Sequence, residues 1–231
     1  MVLDKKKIDQ AKIAAAKAAM QFVKDGMILG LGSGSTAEHF IEILSSYHQD
    51  GLRIECVPTS TRSETKARQL GLPVISGNDI IEIDLTIDGA DEVDQQKSLI
   101  KGGGGALLRE KIIAETSQQF IVIVDETKLV KQLGKFPLPL EISSFAHHST
   151  LRRLKEQGYL PTLRMKDASS PYLTDNGNFI VDLKFKEGIA DPIKENSRLK
   201  EIAGVLETGL FCRLAKLIVI GYVNGESALM E

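Results

Sequence analysis

Cysteine is scarce in this 231-residue chain. Cys56 and Cys212 stand far apart, with neither the dense spacing of a secreted disulfide scaffold nor the C-x-x-C pairs of a zinc site, which points to a reducing, cytoplasmic setting. Long apolar runs are missing too: no segment reaches the ~18–20 residues a membrane-spanning helix requires. No charge of one sign dominates, since 29 Lys and Arg face 31 Asp and Glu for a formal net charge of −2. Such a surface carries no overall field for nucleic acid or an anionic membrane, so an anionic ligand must be held by a local site. Lys5 to Lys7 ahead of an alanine-rich run superficially suggest a targeting peptide. Lys12, Lys17 and Lys24 interrupt that run, and Asp4 and Asp9 argue against a transit peptide.

Several catalytic toolkits also lack their parts. The four histidines are His39, His48, His147 and His148, with no H-E-x-x-H among them. Adjacent histidines on a helix diverge by ~100° and rarely share a metal. No lysine follows the glycines at 30–34, which excludes a G-x-x-x-x-G-K-[ST] phosphate loop. Gly32-Ser-Gly-Ser-Thr carries Thr36 where a G-x-S-x-G nucleophile elbow needs its last glycine. Absent from the chain, none of these motifs brings a metal or a cofactor with it.

What is present is the material of a globular enzyme. A chain of this length with 42% hydrophobic residues can fill one large domain, or a main domain with a small appendage. Helical spacing of Ile8, Ala11, Ala15, Ala18, Phe22 and Val23 predicts a helix over 4–25, ended by Gly26. Short apolar runs at Met27–Leu31, Ile54–Val57, Ile83–Ile87 and Phe120–Val124 alternate with a helical stretch carrying Ala37, Phe40, Ile41 and Leu44 and with others near 60–70, 106–116 and 127–133. Strands alternating with helices predict an α/β fold, a mostly parallel sheet flanked by helices in a Rossmann-like arrangement. Beyond Phe136 the texture changes: Pro137 and Pro139 break the chain, a helix is predicted around 145–157, and Asn176-Gly177 between extended runs predicts a hairpin. These features predict a smaller α+β domain over 138–205, inserted near the C-terminus of an α/β domain formed by 1–137 and 206–231. Val205–Phe211 and Leu217–Tyr222 are both expected to rejoin the main sheet.

Three segments carry chemistry. Gly30-Leu-Gly-Ser-Gly-Ser-Thr-Ala37 closes a strand and opens a helix, where backbone N–H groups and the hydroxyls of Ser33, Ser35 and Thr36 suit a phosphate or a sugar hydroxyl. The same residues permit a plain capping box of Ser35 with Glu38. Asp84-Leu-Thr-Ile-Asp88-Gly-Ala-Asp91 sets Asp88 at a strand's C-terminal end, and Gly89 lets the chain turn so that Asp91 can face the same crevice. Those two carboxylates could bind sugar hydroxyls and move protons, hold a cation, or simply cap a solvated turn. Lys101-Gly-Gly-Gly-Gly-Ala-Leu-Leu-Arg-Glu110 is the most informative. Four successive glycines are costly in chain entropy unless the backbone approaches a ligand or takes positive φ. On the following helix Glu110 falls among Ala106, Leu107, Ile113 and Ala114. Burial there raises proton affinity toward that of a general base, while Lys101 limits the rise; the plain alternative is pairing with Arg109 or Lys111. Lys128, directly after another apolar strand, is a further cation for a phosphate.

In this order, GLGSGSTA (30–37), PTSTRSE (58–64), DLTIDGADE (84–92), KGGGGALLREKI (101–112), DETK (125–128), FPLPLE (136–141), LTDNGN (173–178) and GVLETGLF (204–211) resemble the type A ribose-5-phosphate isomerases across nearly the whole chain. That resemblance implies interconversion of ribose 5-phosphate and ribulose 5-phosphate in the non-oxidative pentose phosphate pathway, a small-molecule sugar phosphate as ligand, and a homodimer without metal. It implies substrate contacts from Ser33, Gly34, Ser35 and Thr36, from Asp88, Gly89, Ala90 and Asp91, from Lys101, Gly102, Gly103 and Gly104, and from Lys128. Glu110 takes the place of the catalytic base, with Asp88, Asp91 and Lys101 assisting. Competing readings are a nicotinamide-dependent oxidoreductase built on Gly32, Gly34, Ala37 and Glu55, a non-catalytic sugar-phosphate sensor, and an acyl or CoA transferase using Glu110 as nucleophile. The first leaves the glycine run unexplained, and Glu55 falls inside its apolar run instead of at the end, where a ribose would lie.

Overall fold

The structure is a computed structural model that describes residues 4–231; positions 1–3 of the expected first domain lie outside the described residues. Its elements in chain order are α1 (Lys5–Ala19), β1 (Met27–Leu31), α2 (Ser35–Gln49), β2 (Ile54–Pro58), α3 (Thr61–Gln69), β3 (Ile83–Asp88), β4 (Glu92–Val93), β5 (Leu99–Ile100), α4 (Leu107–Thr116), β6 (Ser117–Asp125), β7 (Leu138–Ile142), α5 (His147–Glu156), β8 (Pro161–Leu163), β9 (Phe179–Leu183), α6 (Pro192–Lys200), β10 (Val205–Thr208), β11 (Leu210–Phe211), β12 (Leu217–Gly221) and β13 (Ser227–Met230). They divide into two compact units. Residues up to 90, 109–129 and 213–231 form one; 91–108 and 130–212 form the other.

The first unit is built on a six-stranded sheet of order β13-β12-β6-β3-β1-β2. All neighbouring pairs are parallel except β12 with β13. The central strands are near-continuous apolar runs, as strands covered on both faces must be. Leu29, Leu31, Leu85, Ile87, Ile121, Ile123 and Val219 join Phe40 and Leu44 of α2 in the main core. Helix α1 begins at Asp4, whose side chain accepts Lys6 N–H at 3.2 Å, and it ends at Ala19 in a 3-10 turn over Met20–Phe22. It buries a stripe of alanines so closely that a Cβ on Gly221 would overlap the carbonyl of Ala11. Helix α3 carries the capping box of this unit, Ser60 with Ser63. At α2 the alternative capping box is absent: Gly34 is the N-cap at φ +95°, Ser35 Oγ receives Lys12, and Glu38 pairs with Arg62 at 2.5 Å.

The second unit holds an antiparallel sheet of order β10-β7-β9-β8 and a three-stranded sheet of order β11-β5-β4. Leu138, Leu140, Ile142, Val181 and Leu183 pack with Leu154 of α5 and Leu199 of α6. Residues 91–108, 130–137 and 206–212, read from sequence as part of the main domain, cluster with this unit. Val205–Thr208 pairs antiparallel with β7 and Leu210–Phe211 with β5, so only β12 and β13 of the C-terminal segment join the six-stranded sheet. The expected helix over 127–133 is a 3-10 turn at Glu126–Lys128, after which Val130 N–H bonds to Val93 O at 2.9 Å. The Asn176-Gly177 turn is present: Gly177 N–H reaches Thr174 O at 3.0 Å with φ +76°, and Thr174 N–H reaches Asn178 O at 2.9 Å. However, the main partners of β9 are β7 and β8.

Candidate active site

In the first unit the strand order reverses between β1 and β3, because the chain steps outward from β1 to β2 and then crosses back to β3. Open α/β sheets place ligands at the carboxyl end of such a switch point. Here that end carries Gly32–Thr36 after β1 and Asp88 as the last residue of β3. Asp88 is fully buried, and its Oδ1 accepts Ser33 N–H at 2.9 Å and Gly89 N–H at 2.7 Å. A Cβ at Gly32 would overlap the Asp88 carboxylate and stand 2.5 Å from Asp88 Cα, so only glycine admits this approach of loop to strand end. Ser33 Oγ lies 2.9 Å from Thr59 Oγ1 and donates to Ser60 Oγ at 2.7 Å. Thr59 Oγ1 in turn donates to Leu31 O at 3.0 Å, which makes a hydroxyl chain beneath the loop. Lys12 Nζ donates to Ser35 Oγ at 2.9 Å and brings a cation to the start of α2. Lys128 sits half-buried in the turn after β6. Asp125 caps that turn through Thr127 N–H at 3.0 Å, and Glu126 Oε1 accepts Val223 N–H at 3.0 Å.

Glu110 lies on the first turns of α4 with 4% of its surface exposed, on the side that also buries Leu107, Ile113 and Ala114. Helical spacing set this position, and the carboxyl is buried as expected. Ile112, facing the other way, is half-exposed.

In the second unit Asp91 and the glycine run come together. Asp91 N–H bonds to Ile100 O at 2.8 Å, and Asp91 Oδ2 accepts Gly103 N–H at 2.7 Å. Lys101 is 2% exposed; its backbone N–H reaches Gly209 O at 2.9 Å and its ammonium stands 5.5 Å from the Phe211 ring centroid, within cation–π range. Next to Asp91, Glu92 is buried and accepts Gly134 N–H at 2.7 Å and Phe136 N–H at 2.6 Å. Three of the four glycines have internal reasons. Gly102 has φ +98° and a Cβ there would stand 2.7 Å from Leu107; Gly105 has φ +80° and would meet Tyr172 at 2.5 Å; at Gly103 the Cβ would stand 2.6 Å from Asp91 Oδ1. Gly104 alone faces open space and is exposed.

Sequence reasoning gave no site role to Lys12, Thr59 or Ser60, although the last two lie in the PTSTRSE segment (58–64) of the resemblance. Thr59 and Ser60 directly follow a parallel strand, a position that the carboxyl-end rule flags. Nothing local distinguishes Lys12 from the other lysines of α1. Glu55, the ribose contact a dinucleotide site needs, is exposed within β2 and not at its end. Among the described residues no three His, Cys, Asp or Glu side chains are grouped to hold a metal ion, and no helix is long and apolar enough to cross a membrane.

Comparison with known proteins gives a consistent result. The family model for ribose 5-phosphate isomerase A (phosphoriboisomerase A) matches residues 55–225. Ribose-5-phosphate isomerase A of Protochlamydia amoebophila is 53% identical over 96% of this chain and 95% of its own length. That of Bacillus mycoides is 51% identical over 93% and 96%. Among solved structures, a D-ribose-5-phosphate isomerase in complex with phospho-erythronic acid superposes with a TM-score of 0.92 at 38% identity, over 97% of this chain and 99% of that one. The enzyme of Methanocaldococcus jannaschii does so with a TM-score of 0.90 at 36% identity, over 96% and 99%.

Proposed function

Since the chain belongs to the ribose-5-phosphate isomerase A family and is an enzyme interconverting ribose 5-phosphate and ribulose 5-phosphate in the pentose phosphate pathway, we propose that its own residues carry the reaction by a carboxylate-mediated proton transfer. Ring opening comes first, with Asp88 handling the ring hydroxyl proton and Asp91 binding a neighbouring hydroxyl. Glu110 then removes the C2 proton of the open aldose and returns it to C1 through a cis-enediolate, while the proton on the C2 hydroxyl passes to the C1 oxygen. A carboxylate is too weak a base for an unassisted carbonyl, so the developing oxyanion needs preorganised donors. Lys101 and the N–H groups of Gly102 and Gly104 are those donors in this reading, since Gly103 N–H is taken by Asp91. Ser33, Gly34, Ser35 and Thr36, the turn residues Gly89 and Ala90, and Lys128 bind the rest of the sugar phosphate, and Lys12, held on Ser35, joins them at the phosphate. Phospho-erythronic acid, whose carboxylate is planar and anionic like the enediolate, is expected to bind the same residues. Donors of this kind need no metal and no cofactor. A homodimer and a cytoplasmic setting complete the reading.

The observation that supports it most is the burial of Glu110 among apolar neighbours on the helix that directly follows the glycine run. Conversion of ribose 5-phosphate by the wild type in excess EDTA, beside Glu110→Gln, tests it. Retained turnover with EDTA and a loss of at least ~10²-fold in kcat for the variant, with substrate still bound, is the expected result. Loss of wild-type activity in EDTA overturns the metal-free part, and near wild-type kcat in the variant overturns the role of Glu110.

A further inference from the structure

The Lys101–Gly105 loop is gripped from behind by two side chains that none of the motif residues includes. Arg164 Nη1 donates to Gly102 O at 3.1 Å and to Gly103 O at 3.0 Å. Tyr172 Oη donates to Gly104 O at 3.0 Å. Three successive glycine carbonyls are therefore held by side chains of the second unit itself. Arg164 is in turn fixed by Asp182 of β9, with Nε to Oδ2 at 2.9 Å and Nη2 to Oδ1 at 2.5 Å, a two-pronged pair whose side chains are 18% and 23% exposed. The backbone sets both residues on the same side: Tyr172 N–H bonds to Arg164 O at 2.9 Å, and Arg164 N–H to Ile180 O at 2.8 Å.

Holding carbonyls decides where N–H groups point. A trans peptide is planar, so its N–H lies antiparallel to its C=O. With Gly102 O turned to Arg164, Gly103 N–H points the other way and meets Asp91 Oδ2 at 2.7 Å. With Gly103 O turned to Arg164, Gly104 N–H likewise points away from the guanidinium, at the one glycine of the four with open space beside it. Gly105 N–H closes the loop on Gly102 O at 2.9 Å. An unclamped tetraglycine would sample many such orientations, and a donor that must first be aligned stabilises a transition state less than one already aligned.

We infer that Arg164, locked by Asp182, is a positioning residue that aims the Gly104 N–H at the anionic oxygen formed during the reaction, and that Tyr172 supports it by holding the next peptide, whose Gly105 N–H closes the loop on Gly102 O. The inference rests on the proposed role of the glycine loop as oxyanion donor. Lysine cannot replace Arg164, because one ammonium cannot hold a carboxylate at two points and two carbonyls in a fixed fork. Burial, together with the nearby Asp175 charge, raises the Tyr172 pKa above the ordinary phenol value, so its hydroxyl stays a donor across the working pH range.

The test measures kcat, KM, inhibition by phospho-erythronic acid and inhibition by inorganic phosphate for wild type, Arg164→Lys, Tyr172→Phe and Glu110→Gln. Arg164→Lys is expected to lose ~10–100-fold in kcat with KM changed less than about threefold, and to bind phospho-erythronic acid weaker by a similar factor; inhibition by phosphate stays as in the wild type. Tyr172→Phe, which removes only the oxygen that donates to Gly104 O, is expected to show the same pattern at ~3–10-fold. A kcat within twofold of wild type in both variants overturns the inference, as does an equal loss of phosphate and phospho-erythronic acid binding, the mark of general loosening. An inactive Glu110→Gln beside fully active Arg164→Lys and Tyr172→Phe overturns positioning alone and leaves the proposed mechanism standing.

Discussion

Replacing Gly32 with alanine adds one methyl group where the chain has no room for it. The new Cβ would stand 2.5 Å from Asp88 Cα and overlap the Asp88 carboxylate. Carbon atoms pack at ~3.5–4.0 Å, so at least about 1 Å must be found. Rotating Asp88 cannot supply it, because Cα belongs to the backbone. Strands β1 and β3 must part, and both lie inside the six-stranded sheet, paired from Leu29–Leu85 to Leu31–Ile87. Overpacking of this kind costs ~1–3 kcal/mol. Displacing Asp88 also weakens its two bonds from Ser33 and Gly89 N–H, and bonds to a charged group are worth ~1.5–3 kcal/mol each. With those bonds partly kept, the sum is ~3–5 kcal/mol, which at ~2–4 °C per kcal/mol lowers Tm by roughly 6–20 °C. An error of about 1 Å in a catalytic group can cost ~10²-fold, so kcat/KM falls by a similar factor. Thermal unfolding followed by circular dichroism at fixed protein concentration, with kcat/KM at 25 °C, reads both effects. Gly104→Ala is the control, since a Cβ there meets nothing within 4 Å; its Tm should match wild type. A Gly32→Ala protein with Tm within 2 °C of wild type and kcat/KM within threefold would refute the reasoning.

Two further outcomes follow from buried groups. Burial pushes the Cys56 thiol up to about 12, so the native state keeps its proton where the unfolded chain, near the ordinary 9, loses it. Stability is unaffected below that ordinary value and falls by up to ~1.4 kcal/mol per pH unit between the two. The difference in urea midpoint between wild type and Cys56→Ala should therefore hold from pH 7 to 8.5 and shrink by pH 10; a constant difference to pH 10 contradicts it. Glu141, fully buried on β7, gathers Thr174 Oγ1 at 3.1 Å, Asn176 Nδ2 at 3.0 Å and Asn178 Nδ2 at 2.8 Å on one oxygen. Glu141→Ala strands these donors and should cost ~2–4 kcal/mol, with faster proteolysis in the 174–178 turn. Unchanged urea unfolding would show that the turn holds itself.

Much of the candidate site is readable along the chain because its parts are contiguous and sit at strand ends. Gly32 to Thr36 directly follow an apolar run and open a helix, and Asp88 closes another run, so counting residues places both at the carboxyl edge of a parallel sheet. The position of Glu110 on its helix follows from 100° per residue in the same way. One alternative and one expectation fail for specific reasons. Ser35 and Glu38 have the spacing of a capping box, the lesser reading of that motif, but Lys12 and Arg62, distant in sequence, take those two side chains. The 127–133 stretch has helical texture, yet Val130 bonds across to Val93.

By itself the sequence located most strands of the main sheet, the helices between them and the residues at the strand ends; each of these depends on neighbours a few residues apart. Only the tertiary structure decided that Val205–Phe211 serves the small sheets, that Lys12 meets Ser35, and that Arg164 and Tyr172 hold the carbonyls of glycines 61 to 68 residues away. A strand's pattern specifies which face is buried but not which edge accepts it, and a surface arginine looks the same in sequence whether it meets water or a distant carbonyl.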